Sequence, residues 1–164
     1  MKDLVDKLSS YNIFNYLLPG TVFVVLADAL TTFQFVQQDV ILGLFLYYFI
    51  GLIISRLGSL VVEPLLKRTR IVRFAPYADF VSASKEDKSI EVLSETNNMY
   101  RTFCSLFVIL IFLKIYESLV SSFPLIGRWG VEFMIMGLLG LFCFSYRKQT
   151  QYIIKRIQYA RRKE

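Results

Sequence analysis

Hydrophobic residues fall along the chain in four long runs, Ile13 to Val36, Val40 to about Leu60, Thr102 to Phe123 and Leu125 to Tyr146, separated by short polar breaks and one long polar stretch. Each run is roughly 21 to 24 residues, and a helix rising about 1.5 Å per residue needs about 20 of them to cross a hydrocarbon layer about 30 Å thick. The pattern predicts an all-α membrane protein with four transmembrane helices, over residues 13–36, 40–60, 102–123 and 125–146. Pro19 and Gly20 fall about one turn into the first run, so that helix is expected to begin near Leu18 after an interfacial stretch or to kink there. Ahead of it, Leu4, Val5, Leu8 and Tyr11 recur at helical spacing among Lys2, Asp3, Asp6 and Lys7. This predicts an amphipathic arm over residues 1–12 lying on the membrane surface, and not a cleavable signal.

The long polar stretch, residues 61–101, is punctuated by Pro64 and Pro76. A short helix is expected over Ala78 to Ser84, a turn over Ser84 to Asp87, and from Ser89 a helix running into the third span. The tail, residues 147–164, places Ile153, Ile154, Ile157 and Ala160 at helical spacing between basic residues, which predicts a basic C-terminal helix.

Charge fixes the expected topology. Lys and Arg concentrate in the arm, in the central stretch and in the tail, while the short connections around Asp39 and Arg128 hold a single basic residue. The positive-inside rule then places both termini and the 61–101 loop in the cytoplasm. From Leu66 to Arg101 the loop carries seven basic against five acidic residues, a mixed surface suited to solvation or to contact with another protein.

Composition agrees with burial in lipid: the chain is 55% hydrophobic and 16% aromatic, with 15 Phe and 10 Tyr among 164 residues. The net charge of +6 is explained by basic residues bordering the spans, without a glycine-aromatic RNA signature or a helix-turn-helix pattern, so direct nucleic-acid binding is not expected. The chain has no histidine, and Cys104 and Cys143 lie in apolar runs where they read as small buried hydrophobes. A Cys/His zinc site, a Cys-His nucleophile and a disulfide scaffold are thereby excluded. There is no Walker loop, dinucleotide fingerprint or nucleophile elbow, and an aspartyl intramembrane protease needs two embedded Asp where only Asp28 is present. Neither enzyme activity, metal nor cofactor is expected.

Charges inside the runs carry the most physical information. Burying one alone costs about 2.5 to 3.5 kcal/mol on the mildest scale, so each is expected to face the bundle, an aqueous cavity or a partner. Asp28, Lys114, Glu117, Arg128 and Glu132 all fall in the outer half, and Lys114, Glu117, Ser118 and Ser121 share one narrow arc of the third helix. Two readings stand: a charged cluster that responds to a ligand or stress at the outer leaflet or lines a small pore, or a structural ion-pair network fixing helix register. Arg56, near the cytoplasmic end of the second span, is expected to snorkel without a special partner. Gly51, Ser55, Gly58 and Ser59 form a small-residue strip on that span for close helix approach, within the subunit or in a homo-oligomer, with a weaker strip at Gly130, Gly137 and Gly140. Arg147, Lys148, Lys155, Arg156, Arg161 and Arg162 make the tail a candidate dock for anionic lipids or a cytosolic protein.

The segment Tyr11-Asn12-Ile13-Phe14-Asn15-Tyr16-Leu17-Leu18-Pro19-Gly20, the four-span layout with its cytoplasmic loop, and Leu93-Ser94-Glu95-Thr96-Asn97-Asn98-Met99-Tyr100-Arg101 before the third span resemble the KwaA family, the membrane subunits of the Kiwa anti-phage defence system. The resemblance covers most of the chain and carries over no catalytic residue. It implies an oligomeric inner-membrane sensor and scaffold that detects infection at the envelope and works with a cytosolic DNA-binding partner of the KwaB kind. The competing expectation is a pore-forming effector or small channel. The apolar inner half of the third run, Phe103 to Phe112, weighs against conduction unless it acts as a hydrophobic gate.

Overall fold

The computed structural model describes residues 13–161, the side chains of Phe14 and Pro124 excepted. The arm expected over residues 1–12, and Arg162 in the tail, lie outside the described residues. Those described form helices and connecting segments, with no strand among them. A wide π turn, Ile13–Leu17, leads into α1, Leu18–Leu30. Helix α2, Val40–Leu57, continues through a second π turn, Gly58–Val62, into α3, Glu63–Arg68. Then follow α4, Tyr77–Glu86; α5, Ser89–Ser122; α6, Pro124–Arg128; and α7, Gly130–Arg161.

Three helical stretches are long and apolar enough to cross a membrane: Val40–Arg68, Ser89–Ser122 and Gly130–Arg161. The first hydrophobic run yields a shorter apolar helix, Asn15–Leu30, about 24 Å long at 1.5 Å per residue. Helix was expected as far as Val36, but the chain turns extended at Thr31, with φ −132° and ψ 171°. There the Thr31 backbone N–H and hydroxyl both donate to the Ala27 carbonyl, at 2.9 and 2.7 Å. An apolar run containing Thr31, Thr32, Phe33, Phe35 and Val36 suits extended backbone as well as helix, and hydrophobicity alone does not distinguish the two.

The connector folds back so that α1 and α2 pack as a hairpin with almost no room between their backbones. A Cβ added at Gly20 would overlap the Tyr47 carbonyl, and one at Gly51 would overlap the Tyr16 carbonyl. This reciprocal contact requires glycine on both helices, because any side chain forces the backbones apart. Helix α5 completes the core, in which Phe23, Val24 and Ala27 of α1, Ile54 of α2, and Leu106 and Leu110 of α5 are buried together. Phe35, from the extended connector, packs back onto Phe23 at 6.1 Å between ring centroids.

On the side to which the basic residues point, α3 ends with Arg70 in the left-handed region at φ 61°. The Arg70 N–H donates to the Lys67 carbonyl and the Ile71 N–H to the Leu66 carbonyl, a helix-ending pattern that usually places glycine at the left-handed position. Helix α4 buries Val81, and Asp87 then accepts the Ser89 N–H at 2.8 Å, capping the start of α5. The Ser89 hydroxyl and N–H hold the Asp87 carboxyl below its ordinary range.

The fourth run is reorganised most. Span and tail, expected as separate units meeting at residue 147, form the single helix α7, and the residues ahead of Gly130 form the short turn helix α6. Pro124 starts α6 and Trp129 breaks it from α7. Leu141 is the one residue of α7 that is buried. Cys104 and Cys143 are exposed on the bundle surface and not buried as expected, because their helices pack through other faces.

Candidate functional site: two polar centres in one bundle

One centre, outer in the sense that it lies at the end of the bundle remote from the basic tail, surrounds the α1–α2 connector. Glu117 accepts the Thr32 N–H through Oε1 at 2.6 Å and pairs through Oε2 with Lys114 Nζ at 2.6 Å. The same Lys114 Nζ donates to the Leu30 carbonyl at the end of α1, at 2.9 Å. Asp28 Oδ1 accepts the Phe35 N–H at 3.0 Å, and the Tyr47 hydroxyl accepts the Gln37 N–H at 3.1 Å. Where α1 stops short, its last carbonyl and the following N–H groups lose their helical partners and need others. Asp28, Lys114, Glu117 and Tyr47 supply those partners.

Arg128 and Glu132 do not join this centre. Both are exposed, one in the last turn of α6 and one in the first turn of α7, and neither makes an ion pair among the described residues. Breaks at Phe123 and Trp129 put them on the exposed turn between α5 and α7, where a charge need not be buried. Glu132 there complements the positive end of the α7 dipole.

The inner centre is one the sequence analysis passed over. Glu63, at the start of α3, is buried with its side chain 8% exposed, and pairs with Lys67 Nζ at 2.7 Å and with the Arg101 guanidinium of α5 at 2.8 Å. Lys148 Nζ of α7 lies 4.0 Å from the same carboxylate and donates to the Ser59 carbonyl and hydroxyl at 2.6 and 2.7 Å. The local sequence explains why Ser59 is available. The π turn sends the Glu63 N–H to the Gly58 carbonyl, and the next residue, Pro64, has no N–H to give back. The amine of α7 donates where the turn is short of a backbone donor, so one carboxylate and one turn join α2–α3, α5 and α7. The sequence signal for it is the Glu63, Lys67 spacing of four beside Pro64, at the border of an apolar run.

The small-residue strip is consumed within the subunit. Gly51 meets Tyr16 in the π turn ahead of α1, Ser55 is buried, Gly58 packs beside Ser105 and Arg101 of α5, and Ser59 bonds Lys148. Arg56 has a partner after all: its guanidinium donates to the Tyr16 hydroxyl at 3.2 Å, because the α1–α2 hairpin brings that ring alongside.

Beyond Glu63, a cleft of about 370 Å³ opens among α3, α4, α5 and α7, lined by Lys67, Phe74, Tyr77, Arg101, Tyr152 and Lys155 among others. Lys67 sits 3.9 Å above the Phe74 ring, and Tyr77 of α4 meets Tyr152 of α7 at 6.5 Å between ring centroids. Of the tail cations, Lys148 turns inward, Lys155 lines this cleft, and Arg147, Arg156 and Arg161 are exposed. Among the described residues no group of His, Cys, Asp and Glu is placed to hold a metal ion. Chemically, both centres are sets of hydrogen bonds and ion pairs that hold backbone and helices in register.

No family model matches the chain, and neither a curated protein nor a solved structure does.

Proposed function

We propose that this protein is a membrane-embedded sensor and scaffold subunit of a bacterial anti-phage defence complex, working with a cytosolic DNA-binding partner. The defence role and the KwaB-like partner rest on the resemblance to the KwaA family. The observation that carries the mechanical part is α7, one helix from the outer turn at Gly130 to the tail at Arg161. It is joined to the bundle through Lys148 at the inner centre, Phe142 stacked on Phe49, and Tyr152 against Tyr77. A rigid helix that also meets α4 through Tyr159 and Lys85 carries a change in packing from the outer turn to the cytosolic surface, where α4 and the basic tail meet. The bistable element that such coupling requires is the docking of α7 on α2–α3.

In this reading α1 crosses together with α2. The apolar helix Asn15–Leu30, about 24 Å long, and the extended connector beyond it together reach the outer boundary, making four crossings with both ends and the 61–101 loop in the cytoplasm. The exposed apolar faces of α7 support a homo-oligomer, whereas the glycine-serine strip of α2, already used inside the subunit, does not.

The reading is tested by affinity purification from detergent-solubilised membranes, with the neighbouring genes co-expressed. A soluble protein recovered in fixed stoichiometry, and lost when Lys155, Arg156 and Arg161 are each changed to Glu, is the expected result. Recovery of the membrane protein alone, with ion flux in proteoliposomes, overturns it in favour of a pore.

A further inference from the structure

A second concavity, about 760 Å³ in volume, runs between α2–α3 and α7 on the surface of the bundle. One wall is Leu57, Leu60, Val61 and Pro64; the other is Gly137, Gly140, Leu141 and Phe144; the end toward the tail carries Arg147, Lys148 and Gln151. The α7 residues recur every three or four positions, so they share one face of the helix.

Gly137 and Gly140 identify this face as open and not as a packing seam. A Cβ added at either meets nothing within 4 Å, in contrast to Gly20 and Gly51, where backbone would be struck. From Gly137 to Arg147 the helix rises about 15 Å, the depth of one leaflet of a hydrocarbon core about 30 Å thick. The groove is thus apolar over one leaflet and cationic where that leaflet meets water. Arg147 is exposed and makes no ion pair among the described residues, while Lys148 is already held by Ser59 and adds its charge from behind.

We infer that this groove holds an acyl chain of an anionic phospholipid from the leaflet on the tail side, with its phosphate at Arg147 and Lys148. Charge complementarity selects an anionic over a zwitterionic headgroup, and the match between groove length and leaflet depth selects a lipid over a soluble anion. A lipid seated here contacts α2–α3 and α7 at once, so it favours the docked position of α7. In this respect the inference rests on the proposed coupling through α7, whereas the site itself does not.

The test uses the full chain purified in detergent without partner proteins, so the outcome is independent of any partner. It is equilibrated with a mixture of phosphatidylglycerol and phosphatidylcholine, and retained lipid is counted by native mass spectrometry. Phosphatidylglycerol is expected to be retained at about one per chain and about tenfold in preference to phosphatidylcholine, whose choline cation would stand beside Arg147 and Lys148 and offset the phosphate charge. Gly140→Leu, which fills the groove and improves helix propensity, and Arg147→Gln, at an exposed position, each reduce that retention about tenfold while the melting temperature is kept. Equal retention of the two lipids, or retention unchanged in both variants, overturns the inference. A dimer that disappears in Gly140→Leu without any change in lipid count also overturns it, by assigning the groove to a second copy of the chain.

Discussion

The α1–α2–α5 core and helix α7 are built on different principles. In the core, backbones touch: Gly20 and Gly51 bring carbonyls of the facing helix against their Cα atoms, and Val24, Ala27, Ile54 and Leu106 are shut off from the surface. Helix α7 lies as an outrigger, with 11% of its apolar window buried against 22% for Val40–Arg68, and its fastenings include a buried carboxylate, a lysine on a π turn, ring contacts at Phe142 and Tyr152, and Tyr159 beneath Lys85. In lipid, apolar surface alone does not drive helices together, so close packing and polar bonds are the two available means of association. This bundle uses the first where the arrangement is permanent and the second where, in the proposed function, one helix changes its packing.

The contrast is open to direct attack. Gly51→Leu has the largest effect expected, a loss above about 3 kcal/mol, because backbone and not a flexible side chain blocks the added group. It is read as a collapse of the thermal transition in detergent, and a variant that melts normally contradicts the described hairpin. Glu63→Gln comes next, at about 3 kcal/mol, since it leaves Lys67, Arg101 and Lys148 around an amide. Its signature is release of α7, measured as faster proteolysis of the tail, with α1–α2 intact. Lys148→Met removes two hydrogen bonds to Ser59 and is expected to cost about 1 to 2 kcal/mol, with the same tail-specific signature. Glu117→Gln is the mildest. The overall melting temperature stays within error while the amides of Thr32 and Leu30's neighbours in the connector exchange faster with deuterated solvent, and unchanged exchange contradicts the role given to the outer carboxylate.

Much of this fold is legible in the hydrophobic pattern, and the parts that are not have specific physical causes. A helix start or a kink was expected near Leu18 from Pro19 and Gly20, whereas the backbone stays helical there and only changes from π to α geometry; the helix from Ser89 into the third span follows the spacing of Ile90, Leu93 and Asn97. The extended connector was hidden because Phe33, Phe35 and Val36 are as apolar as any helical residue, and their backbone partners, Asp28 and Glu117, lie at a distance in the sequence. Those two residues and Lys114 were legible as charges in costly places; their use in satisfying a chain reversal was not, because nothing along one helix shows where another ends. Arg70 gave no sign of its left-handed turn, since glycine is the usual marker of that position. Glu63 reads in isolation as an interfacial acid, and only tertiary packing brings Arg101 and Lys148 to it. The strip from Gly51 to Ser59 was read as a place of close approach within the subunit or between copies; in this chain its residues meet α5, α7 and the turn ahead of α1.

The central claim is that the Glu63 centre holds α7 against the bundle, and the stacked rings of Phe49 and Phe142, 6.2 Å between centroids, provide a reporter away from that centre. In a background with Cys104→Ala and Cys143→Ala, the pair Phe49→Cys and Phe142→Cys is treated in native membranes with a short bifunctional thiol reagent. The account predicts efficient linking of the parent, linking reduced severalfold by Glu63→Gln, and linking unaffected by Glu117→Gln. Equal linking with and without Glu63→Gln would contradict it.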